Sequence, residues 1–531
     1  MKKSLFALLL GISVSVSAQT ELVFVYFNGK PNKAAFYANP LTELSQKSLN
    51  RRTTLGIPLN DQDAPIENSY VQAIQNLGFT VTDKSKWLNG VALQANQTQV
   101  NQIKSLPFVF SVESFAKNSS LTVKVQHQNK FQELENINTN FNYGSGVEQI
   151  DQINLKPLHL AGYTGTGISI AVIDSGFPNV NTGSTFARLW TNNQVKGGYD
   201  FVTKTSNIYE PTLNAHGTVV LGAIGGYIQD QFVGSAPDAD FYLYRSENAT
   251  VEIPEEEMYW IEAAEEADRQ GVEVITTSLG YNIFDDPKYN YIYSDMNGSK
   301  SFIARGAEIA VNKGIFVLIA AGNSGEQAWH YITTPADNSK VFSIGSVDST
   351  GASSGFSSYG PNSLGVIKPD ATARGTGTVT VDGNNTLLVS GTSIATPVAA
   401  GGVACLIQAF PSMNRETMRN QLRQTASLFP ANTAQMGYGI LNFGSLFNAT
   451  LNTSELVKRS KLVIFPNPVQ DILNIATEKD ILSVQIYDNL GRIISTVKNK
   501  KSIKVSDFAK GTYYLKIQTK DEVFYEKFLK N

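Results

Sequence analysis

Four side chains in this sequence have the chemistry of acyl transfer, and each stands at the end of an apolar run. Ser393 lies in Gly391-Thr-Ser-Ile-Ala-Thr-Pro397, between a strand-like run ending at Val389 and an apolar helical run from Val398 to Phe410. At the open end of a helix, unpaired N–H groups and the positive end of the helix dipole favour a developing oxyanion, so the position suits a nucleophile. Serine and threonine are also ordinary helix caps, and the heptad alone leaves both readings open. His216 leads, through Gly217-Thr218, into the compact apolar run Val219 to Ile224, which places its imidazole in the first turn of a buried helix. Asp174 closes the run Ile168 to Ile173, and Asn323 closes Ile319-Ala320-Ala321-Gly322.

These four fill the roles that a serine acyl-transfer site needs. A serine hydroxyl is too weakly acidic to attack unaided, so His216 takes its proton while Asp174 holds the imidazole and stabilises its charged form. Asn323 donates a hydrogen bond to the tetrahedral oxygen without carrying a titratable charge. Asn before Ser-Gly is also plain turn chemistry, and a lone histidine is commonly structural. Of the four histidines, His127, His159, His216 and His330, only His216 is matched by a carboxylate and a hydroxyl at element ends. The order Asp, His, Ser is one of three known for such triads, and Ser393 lacks the Gly-X-Ser-X-Gly elbow of the α/β-hydrolases.

Such a site needs a scaffold that presents strand ends together. The run 168–173 has almost no polar atoms, which suits a strand buried on both faces of a parallel sheet, and a carboxylate just past its end is where open α/β sheets place their chemistry. The glycines of Gly162-Tyr-Thr-Gly165-Thr-Gly167 precede this strand, so they do not form a dinucleotide-binding loop. Runs at 241–244, 272–278 and 315–321 alternate with helical stretches at 254–270 and 301–313, predicting a doubly wound parallel sheet. In the first of those helices Met258, Ile261, Ala264 and Ala267 recur at helical spacing, which assigns Glu255 to Glu257, Glu265 and Glu266 to the solvated side.

With Ala171-Val-Ile-Asp174-Ser-Gly176, His216-Gly-Thr218, Ala320-Ala-Gly-Asn323 and Gly391-Thr-Ser393-Ile-Ala-Thr-Pro397 in this order, residues from about 146 to 450 resemble the subtilisin-like (subtilase) serine endopeptidases. The resemblance implies a triad of Asp174, His216 and Ser393, with Asn323 as oxyanion donor. It also implies that peptide substrates bind as an added strand against Ser278-Leu279-Gly280, with Ala320, Ala321 and Gly322 lining the wall of the specificity pocket. Val219 and Val398 stand where family members often carry histidine, at positions without a catalytic role. No cofactor is required; the resemblance allows structural calcium, for which the sequence supplies no loop of calcium-motif spacing and hence no ligands. Tyr281 to Lys300 reads as an insertion beside the cleft, either a surface loop, the favoured reading, or a determinant of specificity.

The flanks complete a precursor. Residues 1–18 carry two lysines, an apolar run and small residues at a cleavage position, a removable export signal too short to remain as an anchor. Residues 19–125 predict a small α+β sandwich and resemble the inhibitory, chaperone-like propeptide of the same family, through Asn89-Gly-Val-Ala92 and Leu106-Pro-Phe-Val-Phe-Ser-Val112. Residues 126–145 read as an exposed linker. The catalytic domain is assigned to 146–455 and a small all-β sandwich to 456–531. The latter, through Phe465-Pro-Asn-Pro468, Tyr487-Asp-Asn-Leu-Gly491 and Gly511-Thr-Tyr-Tyr-Leu-Lys516, resembles the C-terminal sorting domain of Bacteroidetes cargo of the type IX secretion system. A carbohydrate- or protein-binding module is the rival reading.

A net charge of −3 and the absence of a long basic block argue against nucleic acid or an anionic membrane as partner. The single cysteine, Cys405, cannot form an intramolecular disulfide and reads as a small buried hydrophobe. The expectation is therefore a serine endopeptidase made as an inactive precursor, exported through the periplasm to the exterior or the cell surface, without a stable transmembrane segment. Its expected partners are protein substrates, its own propeptide and the secretion machinery. A scaffold on a dead protease fold would have lost a triad member, and none is lost; an esterase or amidase on the same triad is separated by its substrate.

Overall fold

The structure, a computed structural model, describes residues 20–117, 146–459, 462–477, 479–489, 491–520 and 523–531. The expected export signal and linker lie outside the described residues. Those up to Leu446 form one compact unit and those from Phe447 onward a second.

The first unit begins with a four-stranded antiparallel sheet of β1 (Glu21–Phe27), β2 (Val81–Ser85), β3 (Gly90–Ala95) and β4 (Val109–Ser114), in the order β2-β3-β1-β4. Helix α1 (Gln46–Leu55) stands apart, while α2 (Asn68–Asn76) and α3 (Gln97–Lys104) cover one face. β1 shows no polar alternation because both its faces are covered. Val23, Val25 and Phe27 pack with Val71, Ile74, Val100 and Ile103, whereas Leu22 and Phe24 turn the other way, into a core shared with Met258, Ile261 and Phe302.

The rest of this unit is built on seven parallel strands: β5 (Ser169–Asp174), β6 (Val195–Asp200), β7 (Asp240–Arg245), β8 (Val274–Thr277), β9 (Phe316–Ala320), β10 (Phe342–Val347) and β11 (Ala371–Arg374). Their order is β11-β10-β9-β8-β5-β7-β6, and every adjacent pair is parallel. From β5 the chain runs to the edge strand β6 and returns inward to β7, then crosses to the other side of β5 and builds outward from β8 to β11. The topological switch, where such sheets bind ligands, thus falls between β5 and β8. β6, β10 and β11 were not expected from sequence: β6 is interrupted by Gly197 and Gly198, β10 mixes serine and glycine into its apolar run, and β11 is only four residues long.

Helices α4 (His216–Gly225), α5 (Glu255–Gln270), α6 (Phe302–Asn312) and α7 (Thr392–Ala409) pack around the sheet, and α4 lies against α7. α7 is long and apolar enough to cross a membrane, but it is mostly buried inside the protein, which accounts for its composition. Cys405, on α7, is fully buried.

Two sequence expectations change here. The acidic side of α5 is covered rather than solvated: Glu256 and Glu257 are fully buried, and Glu265 accepts from the Ser85 hydroxyl at 2.6 Å and the Trp87 N–H at 3.0 Å. Glu265 meets the N-terminal sheet, whereas Glu256 meets the Asn248 and Ile253 N–H groups and Glu257 the Tyr291 hydroxyl and the Ile303 N–H, and a period-3.6 pattern cannot distinguish water from a polar partner. The segment 281–300 is likewise no simple surface loop. Tyr281, Phe284, Tyr289, Tyr291 and Met296 are buried, and the segment braces one end of the N-terminal sheet, where β1 begins and β4 ends. The Leu22 N–H donates to the Tyr289 hydroxyl at 3.1 Å, and the Lys117 N–H donates to the Lys288 carbonyl at 2.7 Å.

The second unit holds β12 (Val463–Phe465), β13 (Ile472–Ala476), β14 (Ile481–Tyr487), β15 (Ile493–Lys498), β16 (Ser502–Lys504), β17 (Gly511–Thr519) and β18 (Val523–Lys530). They form a three-stranded sheet, β12-β13-β16, and a four-stranded one, β15-β14-β17-β18, both antiparallel. Val484, Ile486, Leu515, Ile517, Leu473 and Ile503 fill the space between the sheets, giving the expected all-β sandwich.

Candidate active site

Asp174 is the last residue of β5 and is 1% exposed. Its Oδ1 lies 2.8 Å from Nδ1 of His216, the first residue of α4, and also accepts from the Ser175 N–H at 2.7 Å. This approach depends on Gly217: a Cβ there would meet the Gly176 carbonyl at 2.4 Å and the Asp174 Cβ at 3.0 Å. The glycine after the histidine therefore lets the helix start settle on the Asp-Ser-Gly turn.

Residues not singled out from sequence lock this pair. The Asn214 Oδ1 accepts from the His216 N–H at 2.9 Å and from the Ser175 hydroxyl at 3.0 Å. Arg245, beside Asp174 in the β5–β7 register, donates through Nε to the Ser175 carbonyl at 3.0 Å and pairs with Asp200 at 2.8 Å. Nothing in the spacing of Arg245 or Asn214 marks these contacts, which appear only once strand order and register are known.

Ser393 is the second residue of α7. Gly391 precedes the helix at φ +155°, a conformation that favours glycine, and a Cβ there would lie 2.8 Å from the Ser393 Oγ and 3.5 Å from the Asn323 Nδ2. The missing side chain thus leaves open the space that faces both the hydroxyl and the amide. Asn323 is oriented by Thr392, whose N–H and hydroxyl both donate to its Oδ1 at 2.9 Å. With Oδ1 so engaged, Nδ2 is the group left to face Ser393.

Among the described residues the Ser393 hydroxyl makes no hydrogen bond of its own. What joins the Asp174–His216 pair to the Ser393–Asn323 pair is the packing of α4 against α7. Nucleophile–base contacts are often long until substrate is bound.

Ser278 follows β8, and its hydroxyl donates to the Ser393 carbonyl at 2.8 Å. Pro397, inside α7, has no N–H to offer that carbonyl four residues back, so a site signal lay in the sequence in the spacing of this proline from the serine. Leu279 turns into the core, and Gly280 leaves no room for a side chain, since a Cβ would meet the Thr333 Oγ1 at 2.2 Å. Ala320 and Ala321 are buried at the end of β9. At Gly322, φ +106°, a Cβ would lie 2.8 Å from the Ser358 Oγ and 3.4 Å from the Thr333 Oγ1. The Thr333 hydroxyl thus lies against both Gly280 and Gly322.

Calcium was the one metal the sequence allowed. The carboxylates of Glu247, Glu252 and Glu256 come within 4.8 Å of one another. Glu247 accepts from the Tyr281 hydroxyl, and Glu256 accepts from the N–H groups of Asn248 at 2.8 Å and Ile253 at 3.2 Å.

Comparison with known proteins bears directly on this arrangement. Residues 165–440 match the Subtilase family, residues 22–133 the Peptidase S8 propeptide domain of Bacteroidota, and residues 463–531 the secretion system C-terminal sorting domain. The chain is 28% identical to Subtilisin NAT of Bacillus subtilis subsp. natto over 377 residues, covering 70% of this chain and 83% of that protein. It is 29% identical to the Alkaline elastase YaB of Bacillus sp. (strain YaB) over 298 residues, 55% of this chain and 68% of that one. Against the Subtilisin of Bacillus pumilus it is 29% identical over 300 residues, 55% of this chain and 95% of that protein. Sheet order, the strand-end carboxylate and three family matches in succession lead to one conclusion: the chain belongs to the subtilase family and is a secreted serine endopeptidase, made as a precursor with its own propeptide and a C-terminal sorting domain.

Proposed function

We propose that this endopeptidase cuts peptide bonds through Ser393, His216 and Asp174, with Asn323 and the first-turn N–H groups of α7 stabilising the oxyanion. The observation that carries the reading is the 2.8 Å contact between Asp174 and the Nδ1 of His216. It fixes the tautomer, leaving Nε2 as the acceptor for the serine proton. Ser393 attacks the scissile carbonyl as His216 takes its proton; the carbonyl oxygen becomes negative in the space that Gly391 keeps clear, where the Asn323 amide donates to it. The tetrahedral intermediate then collapses, His216 protonates the leaving amine, and water repeats the sequence on the acyl-enzyme.

In this reading the substrate backbone pairs with Ser278-Leu279-Gly280 as an added strand, and the side chain before the scissile bond enters the space walled by Ala320, Ala321 and Gly322. Domain limits of 19–125 for the propeptide, 146–455 for the catalytic part and 456–531 for the sorting domain complete the reading, with export through the periplasm and release or display at the cell surface.

A serine-directed phosphonate, applied to the processed protein and mapped by peptide mass, tests the assignment. The adduct is expected on Ser393 alone and is expected to vanish in His216→Ala. An adduct elsewhere, or none on processed enzyme, overturns it.

A further inference from the structure

The four-stranded sheet of the C-terminal unit has one face in the core and one that nothing in this unit covers. Residues opposite each other in register share a face. Tyr487 opposes Tyr514, which opposes Lys527; Gln485 opposes Lys516, which opposes Tyr525. Lys498 stands on the same side, opposite Ser483. The intervening residues Val484, Ile486, Leu515, Ile517, Phe524 and Phe528 point to the core and are buried. The outer face is therefore a checkerboard of tyrosine and lysine, with Tyr525 72% and Tyr514 48% exposed.

Two features give this surface a chemical character. It is one-signed: in the register of β14, β15, β17 and β18 no carboxylate falls on this face, and among the described residues none of Lys498, Lys516 and Lys527 enters an ion pair. That is unusual in a chain whose net charge is −3. It is also flat and aromatic rather than aliphatic, with tyrosines on adjacent strands spaced by the roughly 4.8 Å of strand separation. Lysines left unpaired on a face without acids call for an anionic partner, and exposed rings lying over a flat sheet call for one with flat, weakly polar faces to stack on. A protein partner would need an aliphatic centre to desolvate, and the aliphatic side chains here stand at the margins of the face, Ile493 on the edge strand β15 and Val523 and Leu529 at opposite ends of the other edge strand, β18.

We propose that this face binds an acidic polysaccharide, with the tyrosine rings stacked on sugar rings and the lysines paired with carboxylate or sulfate groups along the chain. The site belongs to the precursor while it still carries its sorting domain, and is separate from the peptidase chemistry.

The test uses full-length Ser393→Ala protein in affinity electrophoresis through gels containing polygalacturonate, dextran sulfate or neutral dextran. Retardation by both acidic polymers and none by neutral dextran is expected. Tyr514→Ala/Tyr525→Ala should weaken binding at least tenfold while Tyr514→Phe/Tyr525→Phe retains it, and Lys516→Gln/Lys527→Gln should weaken it and flatten its salt dependence. Thermal unfolding of each variant checks that the sandwich is intact. Equal retardation of the alanine pair and the parent, equal retardation by neutral dextran, or no retardation by either acidic polymer overturns the proposal; the last result would assign the lysines to an acidic protein surface instead.

Discussion

Pro397 stands four residues after Ser393 in the same helix, so the Ser393 carbonyl receives no N–H from below and accepts the Ser278 hydroxyl instead, at 2.8 Å. A residue of the proposed substrate-binding strand is thereby tied to the backbone of the proposed nucleophile. Ser278→Ala removes a hydrogen bond of about 1 kcal/mol, which corresponds to a loss of roughly fivefold. Because the tie spans binding strand and nucleophile, the loss should appear in kcat as well as KM and grow with peptide length. Steady-state kinetics on a series of peptide amides checks this; a change in KM alone would mean that the bond positions substrate only.

The proposed oxyanion space lies where Gly391 has no side chain, beside the Asn323 amide, which is oriented by two donations from Thr392. Asn323→Leu is expected to lower kcat by about a hundred- to a thousandfold with little change in KM, a range known from this donor in subtilisin itself. Thr392→Val leaves the amide in place but removes one of the bonds that orient it, so a smaller fall, about tenfold, is expected. Gly391→Ala should be as damaging as Asn323→Leu, since its methyl enters the space between hydroxyl and amide. Titration of active sites in each variant separates lost chemistry from lost protein.

The propeptide is held by a buried charge network that alternates across the contact. Arg52 of the propeptide pairs with Asp268 of α5 at 2.7 Å and with its own Asp63 at 2.9 Å, Asp63 pairs with Lys313 at 2.8 Å, and Arg51 also reaches Asp268. Removing one partner of an isolated buried pair costs about 3–5 kcal/mol, and less here, because without Arg52 the Asp268 carboxylate keeps Arg51 and Asp63 keeps Lys313. Arg52→Ala in the isolated propeptide should therefore raise its inhibition constant against mature enzyme by about one to two orders of magnitude. Against Asp268→Ala enzyme, Arg52→Ala should cost far less. Equal losses on both enzymes would dissolve the pairing.

Docking of the propeptide should also depend on pH. Burial, with Asp83 alongside, pushes the Glu262 carboxyl up to about 7 against the pull of Lys204, and burial likewise raises Glu255 and Glu265 on the same helix. In the free enzyme, without the N-terminal sheet above it, Glu262 ionises nearer its ordinary value of 4.5. The complex thus holds an extra proton between the two values. Its stability from this group is complete below the lower one and is lost as pH rises toward the upper one. Inhibition by isolated propeptide is expected to weaken by about tenfold or more between pH 5 and pH 7.5. Glu262→Gln should flatten that dependence, which a series of inhibition assays at fixed ionic strength would show.

Much of the candidate site was legible in the sequence because strand ends carry it. Asp174 and Asn323 each follow an apolar run that could only be buried strand, and Ser393 and His216 each open a run of small apolar residues. Such local patterns survive without knowledge of the fold. What escaped was whatever depends on two distant segments meeting. Arg52 and Asp268 are 216 residues apart, and no periodicity in either segment announces the other. The acidic side of α5 looked solvated for the same reason: its partners are the N-terminal sheet at Glu265 and the segments 248–253 and 291–303 at Glu256 and Glu257. The aromatic segment 281–300 read as a loop because it forms only short turns, yet its tyrosines have their hydroxyls bonded inside the protein, Tyr291 to Glu257 at 2.7 Å among them.

The ring of Phe115 stacks on Phe302 at 3.8 Å, and Phe24 lies 5.7 Å from the same ring. When the leader departs, the mature protease keeps the mould of it: at the start of α6 an aromatic plate stripped of its two covers, and in the last turn of α5 a carboxylate bereft of both guanidiniums. Any later antagonist that grips there must reproduce the same relief, greasy at one end and cationic at the other, so the enzyme carries after release a written address for its own silencing.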